Sequence, residues 1–178
     1  ARKINGISFD GTNDILLTHK GGAADIVVAA YNSLNKDYAQ FVCTGTNDEV
    51  IISQAIDALS VFGGKIFLQA GLYNVKNITI QKSNVTIEGA GRATMLKFSG
   101  DLVTSKVFNI TNPFVTIKDL EIQQLSSTPP SQSLIRISSI ADSCRIDNVH
   151  FNGPASLFDV SSNQNFINVS CSGVAVSP

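Results

Sequence analysis

The sequence contains no tryptophan, one methionine and only three tyrosines, and charged residues make up just 15% of its 178 positions. Lysine and arginine form no run or stripe, and the formal net charge is −1. The chain therefore lacks the basic surface that binds phosphate backbones, and we expect no nucleic-acid partner. With so few ionic side chains, Ser, Thr, Asn and Gln must form much of the surface.

Long hydrophobic runs and paired cysteine motifs are missing as well. No apolar stretch approaches the ~20 residues that cross a bilayer as a helix, so we expect no membrane insertion. Cys43, Cys144 and Cys171 have no metal-ligand spacing, and we expect neither a metal nor a cofactor. These cysteines are best interpreted as small buried hydrophobes, with one disulfide as the alternative. Ala1 follows no initiator methionine or leader pattern, which favours a processed product or a piece of a longer protein.

Apolar residues make up 43% of the chain, which is enough for a core. In the C-terminal half they follow a sequence unit that occurs several times. The units are 20 to 30 residues apart, and within each the apolar positions follow at intervals of three and two. Such a period predicts a solenoid of stacked strands. We expect two vertical core stacks, one of Ile117, Ile146 and Phe166 and one of Leu120, Val149 and Val169.

A polar residue precedes the second apolar position of each unit: Asp119, then Asn148, then Asn168. If the coils stack in register, these three side chains form a structural ladder at a bend, because asparagine amides hydrogen-bond from one level to the next. Two stacked carboxylates would instead repel by about 1 kcal/mol in water. The alternative is that asparagine simply suits a tight bend.

The N-terminal part has a different organisation. Residues 1–22 alternate apolar and polar types around Asn-Gly and Asp-Gly, which predicts two very short strands in a linking segment. Residues 23–178 form the predicted solenoid domain, with strands at 24–30 and 37–43 that belong either to the solenoid or outside it. A helix near 47–60 is predicted by apolar residues at helical spacing and by a capping box with Thr46 at the N-cap and Glu49 three residues later. It would cover the first coil.

Two stretches of sequence resemble known families. Residues 37–59, 63–75 and 84–96, including Val-Thr-Ile-Glu-Gly-Ala-Gly-Arg at 85–92, are similar to the opening of pectate-lyase-like domains. Across residues 24–175 this resemblance implies an all-β fold, a right-handed single-stranded parallel β-helix of about five coils, each rising ~4.8 Å, with one N-terminal capping α-helix. The superfamily includes lyases, hydrolases and inert fibres, so the fold alone implies no single chemistry.

The second resemblance lies in residues 2–15, where Ile-Asn-Gly, Phe-Asp-Gly and a later Ile look like the short repeat of bacteriophage tail and head fibre proteins. In that family such segments lie near modules of trimeric fibres. The resemblance therefore implies a homotrimer that contacts other virion proteins through residues 1–20. It also implies location in the virion, assembly in the host cytoplasm and contact with a host cell-surface polysaccharide.

An enzymatic site would need acids and bases at one register of the outer face. Lys118 and Asp147 share one register position, as do Glu121 and His150, and together they form the candidate acid/base patch of a glycan lyase or hydrolase. The alternative is a solvated face with neighbouring opposite charges, which we favour. The favoured function is thus a structural and adhesive fibre module. A polysaccharide-degrading spike and a prokaryotic cell-surface adhesin remain the alternatives.

Overall fold

The structure is a computed structural model, and it describes residues 25–99, 106–124, 133–153 and 165–172 together with the strands at 2–4, 7–9 and 158–160. These residues form fifteen β-strands and one α-helix. In chain order they are β1 (Arg2–Ile4), β2 (Ile7–Phe9), β3 (Ile26–Ala29), β4 (Phe41–Val42), α1 (Asp48–Ala58), β5 (Gly64–Leu68), β6 (Gly71–Val75), β7 (Ile78–Ile80), β8 (Val85–Gly89), β9 (Thr94–Phe98), β10 (Phe108–Ile110), β11 (Thr116–Gln124), β12 (Ile135–Ile137), β13 (Arg145–Asn152), β14 (Phe158–Val160) and β15 (Phe166–Ser172).

Strands that are far apart in the sequence pair in parallel and stack in order. The large sheet follows the order β15-β13-β11-β8-β5-β3-β4, with β6 and β9 joined to it through β11, and a second sheet follows β14-β12-β10-β7. Within the described ranges the antiparallel contacts are the β1–β2 pair and a single bridge between Ser60 and Gly63. The prediction of a mainly β fold with stacked parallel strands and one helix is confirmed.

The core is built from apolar side chains that occupy the same register position on successive strands. Ile66, Ile87, Ile117 and Ile146 lie opposite one another in turn, and each is fully buried. A second buried row consists of Tyr73, Leu96, Ile122 and Phe151. Because burying one such side chain contributes about 1.5–3 kcal/mol, these rows supply the main driving force for stacking.

The expected core stacks hold on β11 and β13 but need one correction on β15. Ile117 lies opposite Ile146, and Leu120 lies opposite Val149. On β15, however, Ile167 lies opposite Ile146, while Phe166 lies opposite Arg145. The register shifts between Asp147 and Val149, because β15 has one residue fewer at this point, and Val169 is again opposite Val149.

Helix α1 lies within the predicted range, but its N-terminus differs from the predicted capping box. The N-cap residue is Asn47, in a left-handed conformation at φ 52°, and it makes no side-chain capping bond. The buried Asp48 instead accepts hydrogen bonds from the backbone N–H groups of Thr44 and Gly45, at 3.1 and 2.9 Å. The predicted capping box is therefore wrong. The helix begins one residue later than predicted, and the Asp48 carboxylate binds the loop before it.

The predicted strand at 37–43 is also corrected. The chain forms a short 3-10 helix at Lys36–Tyr38 and then only the two residues of β4. The Gln40 side chain explains the shortening, because its Oε1 accepts the Val27 N–H at 2.7 Å while the Gln40 N–H donates to the Val27 carbonyl at 3.0 Å. The preceding strand, β3, pairs with both β4 and β5 and therefore belongs to the large sheet.

Side-chain oxygens cover the N–H edge of β6. The backbone N–H of Leu72 donates to Asn32 Oδ1 at 2.9 Å, that of Asn74 donates to Asp48 Oδ2 at 2.9 Å, and that of Lys76 donates to Glu49 Oε2 at 3.2 Å. Helix α1 packs against β6 and β7 at this end. The helix therefore satisfies an edge that would otherwise be open to pairing with another chain.

Of the expected linking segment, residues 1–22, only β1 and β2 are among the described residues, and they pair antiparallel. Helix α1 has 11 residues, and no helix in the described part of the chain is long and apolar enough to span a bilayer.

Cys43 and Cys144 are buried free thiols, whereas the side chain of Cys171 lies outside the described residues.

Candidate functional site on the outer face of the large sheet

Polar side chains occupy the outer register positions of the large sheet. Glu88, Lys118, Asp147 and Asn168 lie opposite one another on β8, β11, β13 and β15. Successive strands are about 4.8 Å apart, so side chains at one register position can contact those one level above and below. Lys118 and Asp147 therefore share the register position at which the sequence predicted them.

Ion pairs hold the first half of this row. Glu88 Oε2 lies 2.5 Å from Lys65 Nζ and 2.9 Å from Lys118 Nζ, and Lys118 Nζ lies 3.3 Å from Asp119 Oδ2. The Lys65 ammonium, with Lys118, lowers the pKa of Glu88, and the Glu88 carboxylate, with Asp119, raises the pKa of Lys118. A lysine held protonated between two carboxylates is a poor general base, because it must first lose a proton that both partners stabilise.

Asp147 is held in a similar way. Its Oδ2 accepts hydrogen bonds from Arg145 Nη2 at 2.5 Å and Arg145 Nε at 3.1 Å, and its Oδ1 accepts one from Asn168 Nδ2 at 3.0 Å. The Arg145 guanidinium, followed by the Asn168 amide, lowers the pKa of Asp147. Both carboxylate oxygens are therefore engaged by the protein, and the group stays ionised.

Glu121 and His150 lie opposite one another on the other side of a bend in β11 and β13, and both are buried. Glu121 Oε2 accepts a hydrogen bond from Arg92 Nε at 2.9 Å, and Glu121 Oε1 lies 3.5 Å from Asn152 Nδ2. Arg92 comes from the short 3-10 helix Gly91–Ala93 that connects β8 to β9. The four predicted residues thus form two separate pairs, each completed by partners outside the set.

The bend between these pairs is made by Asp119 and Asn148. Both have left-handed backbone, with φ of 55° and 49°, and Asn148 Nδ2 donates a hydrogen bond to Asp119 Oδ1 at 2.7 Å. Asn168, the expected third rung, lies opposite Asp147 and donates to it instead. The ladder has two rungs here, because β15 lacks the additional residue that forms the bend in β11 and β13.

Sequence reasoning missed Glu88 and Arg92. The signal for Glu88 was present, because aligning Ile87 with Ile117 also places Glu88 beside Lys118. Arg92 had no such signal, since its position depends on how a corner folds back. In the described part of the chain, no group of three or more His, Cys, Asp or Glu side chains is arranged to hold a metal ion.

No protein-family model, no curated protein and no solved structure matches the chain. Membership of the β-helix or the fibre families therefore stays a prediction from the sequence.

Proposed function

We propose that the chain is a structural module of a virion fibre or spike, built as a right-handed parallel β-helix of about five coils with ~4.8 Å between levels. We further propose that it is adhesive, that it binds glycans of a host cell surface, and that it functions as a homo-oligomer attached to other virion proteins through residues 1–20. Stacked parallel strands with a core on one side and a polar face on the other support a rigid shaft of this kind.

The pairing of charges on the outer face carries the proposal. Glu88 lies between Lys65 and Lys118, Asp147 is held by Arg145, and Glu121 is held by Arg92. Charged groups held in ion pairs are poor general acids and bases, which favours a structural role over catalysis. Beside them the half-buried side chains of Thr86 and Thr116 lie opposite one another, as do those of Gln123 and Asn152. Such hydroxyl and amide groups can hydrogen-bond to sugar hydroxyls without cleaving the sugar.

Two measurements on the whole chain test the adhesive role. The protein is incubated with capsule polysaccharide or teichoic acid from candidate host cells, and both the bound fraction and the appearance of new reducing or unsaturated ends are measured. We expect binding without cleavage. Binding to none of the envelope fractions would contradict the adhesive role. Antibody labelling in electron microscopy separates the virion from the cell surface, and label on uninfected cells would favour a prokaryotic adhesin.

One observation favours a second candidate function, a polysaccharide-degrading spike. Glu121 and His150 are adjacent, buried and ionisable, which are common properties of an acid/base pair. If cleavage products appear in the incubation, Glu121→Gln and His150→Gln are expected to abolish them. The exposed Asp57→Asn serves as the matched control and is expected to leave cleavage unchanged. Cleavage that survives both site substitutions would exclude this pair.

A further inference from the structure

The last residue of β13, Asn152, is followed by Gly153, and such a pair is chemically labile. In an Asn-Gly pair the following backbone nitrogen can attack the side-chain amide carbon, because glycine has no side chain to block the approach. The sequence has one other pair of this kind, Asn5-Gly6, and every remaining asparagine precedes a residue with a side chain. Asn152 is therefore the described asparagine whose sequence context favours deamidation.

The fold requires glycine at position 153. Its φ is 145°, in the region that residues with a side chain rarely adopt. A Cβ at this position would also lie 2.5 Å from the backbone oxygen of Gln124, which is too close for any side chain. The labile pair thus follows from the way in which β13 ends against β11.

The pair lies at the end of the strand ladder. Asn152 is the last residue of β13 that pairs with a neighbouring strand, and it lies opposite Gln123 on β11 and Ser172 on β15. Gly153 lies beyond both ladders, and both residues of the pair are half-buried. Water therefore reaches the site, and the attacking nitrogen is less restrained than one inside the strand.

The Asn152 amide faces a buried carboxylate. Asn152 Nδ2 lies 3.5 Å from Glu121 Oε1, and Glu121 is only 3% exposed. The second carboxylate oxygen, Oε2, accepts a hydrogen bond from Arg92 Nε at 2.9 Å. The amide thus presents a donor to Glu121. A carboxylate in its place would present an acceptor of the same charge, and two such groups repel until one of them is protonated.

We propose that Asn152 is a self-modifying site, at which deamidation pairs a new carboxylate with Glu121 and loosens the end of β13. The Gly153 nitrogen forms a bond to Asn152 Cγ, and its proton passes through solvent to the departing side-chain nitrogen. The Cγ–Nδ2 bond breaks, and that nitrogen leaves as ammonia.

Water completes the reaction. It adds across one of the two carbon–nitrogen bonds of the succinimide ring and returns a proton to the Gly153 nitrogen, which yields aspartate or isoaspartate at this position. Only water is consumed, and ammonia is the only molecule released. The modification does not depend on the fibre function proposed above.

Peptide mapping by mass spectrometry tests the reaction. The whole protein is incubated at mildly alkaline pH and raised temperature, under conditions in which circular dichroism shows that it stays folded. We expect Asn152 to deamidate at least several-fold faster than Asn148 on the same strand, because the valine after Asn148 blocks the attack. Asn152→Gln is the control, since its longer side chain must close a larger ring, and it should remain unmodified. A rate at Asn152 no faster than at Asn148 would overturn the inference.

Asn152→Asp reproduces the product and tests its consequence. We expect this variant to melt at a lower temperature than the wild type near neutral pH, and the difference to shrink under acid as one carboxylate of the pair is protonated. In a Glu121→Gln background the same substitution should cost less, because the second carboxylate is absent. A melting temperature equal to that of the wild type, or a loss that neither acid nor Glu121→Gln reduces, would overturn the pairing with Glu121.

Discussion

At the scale of single residues, left-handed backbone positions determine where this chain turns. Among the described residues, the non-glycine positions with positive φ are Asn47, Asn84, Phe114, Asp119, Ser143 and Asn148. Four of these six are Asn or Asp, the residue types that tolerate this conformation because their short side chains hydrogen-bond locally. The preference for asparagine at the bend thus has a conformational cause, and the hydrogen bond from Asn148 to Asp119 adds to it.

Substitution of Asn148 separates these two contributions. Asn148→Ala loses both the tolerance for positive φ and the bond to Asp119, and we expect the free energy of unfolding to fall by about 1–2 kcal/mol. Asn148→Gly loses the bond but adopts the same backbone without strain, so its loss should be smaller. Urea unfolding of the two variants measures the difference. Equal losses would mean that the backbone conformation contributes little.

Ionisation of Glu88 gives the stability a defined dependence on pH. Lys65, the main cause, lowers the pKa of Glu88 in the folded state below the ordinary value of 4.5. The pair therefore stabilises the fold above that value, and the contribution is lost as the pH falls through the lower folded pKa. We expect the melting-temperature difference between wild type and Glu88→Gln to be constant near neutral pH and to shrink under acid. A difference that does not change under acid would show that Glu88 acts through packing alone.

At the scale of elements, the first turn of helix α1 forms one of the links between the helix and the sheet. Asp48 links the loop before the helix to the edge of β6, since its carboxylate accepts backbone N–H groups from Thr44, Gly45 and Asn74. A buried carboxylate that receives three such donors is fully satisfied, and any change that replaces an acceptor by a donor leaves a buried group unpaired.

Asp48→Asn tests this link. The amide nitrogen must face at least one N–H donor, so we expect the free energy of unfolding to fall by about 1–3 kcal/mol. Asp57→Asn, at an exposed position of the same helix, is the control and should change it by less than about 0.5 kcal/mol. Thermal or urea unfolding provides both values. A neutral Asp48→Asn would show that water, rather than the carboxylate, satisfies the edge of β6.

The elements also show how far the sequence could predict this molecule. The spacing of Val50, Ile52, Ala55 and Ile56 predicted α1, and the recurring unit predicted which strands lie opposite one another on β8, β11 and β13. The failures involve contacts that local patterns do not encode. Asp48 binds groups distant in sequence, and adjacent apolar residues at 166 and 167 hid the one-residue shift on β15. On the outer face, the spacing of the repeated unit predicted the pairs Lys118/Asp147 and Glu121/His150. No local pattern predicted the contact of Arg92 with Glu121.

At the scale of the whole molecule, the stacked rows form one continuous core that reaches from β3 to β13. Cys43 lies near its first level and Cys144 near a late one, and both thiols are buried. Burial, with a smaller effect of Asp48, raises the pKa of Cys43 to about 12, and burial also raises the pKa of Cys144. Both thiols are therefore unreactive until the core around them opens.

Thiol labelling reports whether the two levels open together. In a Cys171→Ser background, we expect a thiol-specific reagent at mildly alkaline pH to modify Cys43 and Cys144 slowly and at the same rate, and to modify both rapidly in denaturant. Mass spectrometry of peptides gives the two rates separately. Faster modification of Cys43 than of Cys144 would show that the helix-covered end opens independently of the later strands.

The left-handed residue between two inward positions has an evolutionary consequence. In an uninterrupted strand, adding or removing one residue exchanges the buried and solvent faces beyond that point. Here β13 advances by three residues from Ile146 to Val149, whereas β15 advances by two from Ile167 to Val169. Ile146 still lies opposite Ile167, and Val149 still lies opposite Val169. Levels of unequal length can therefore coexist in one stack, so relatives should vary by single-residue insertions and deletions at this bend. Sequence searches that assume a fixed repeat length will therefore underestimate the similarity of related chains.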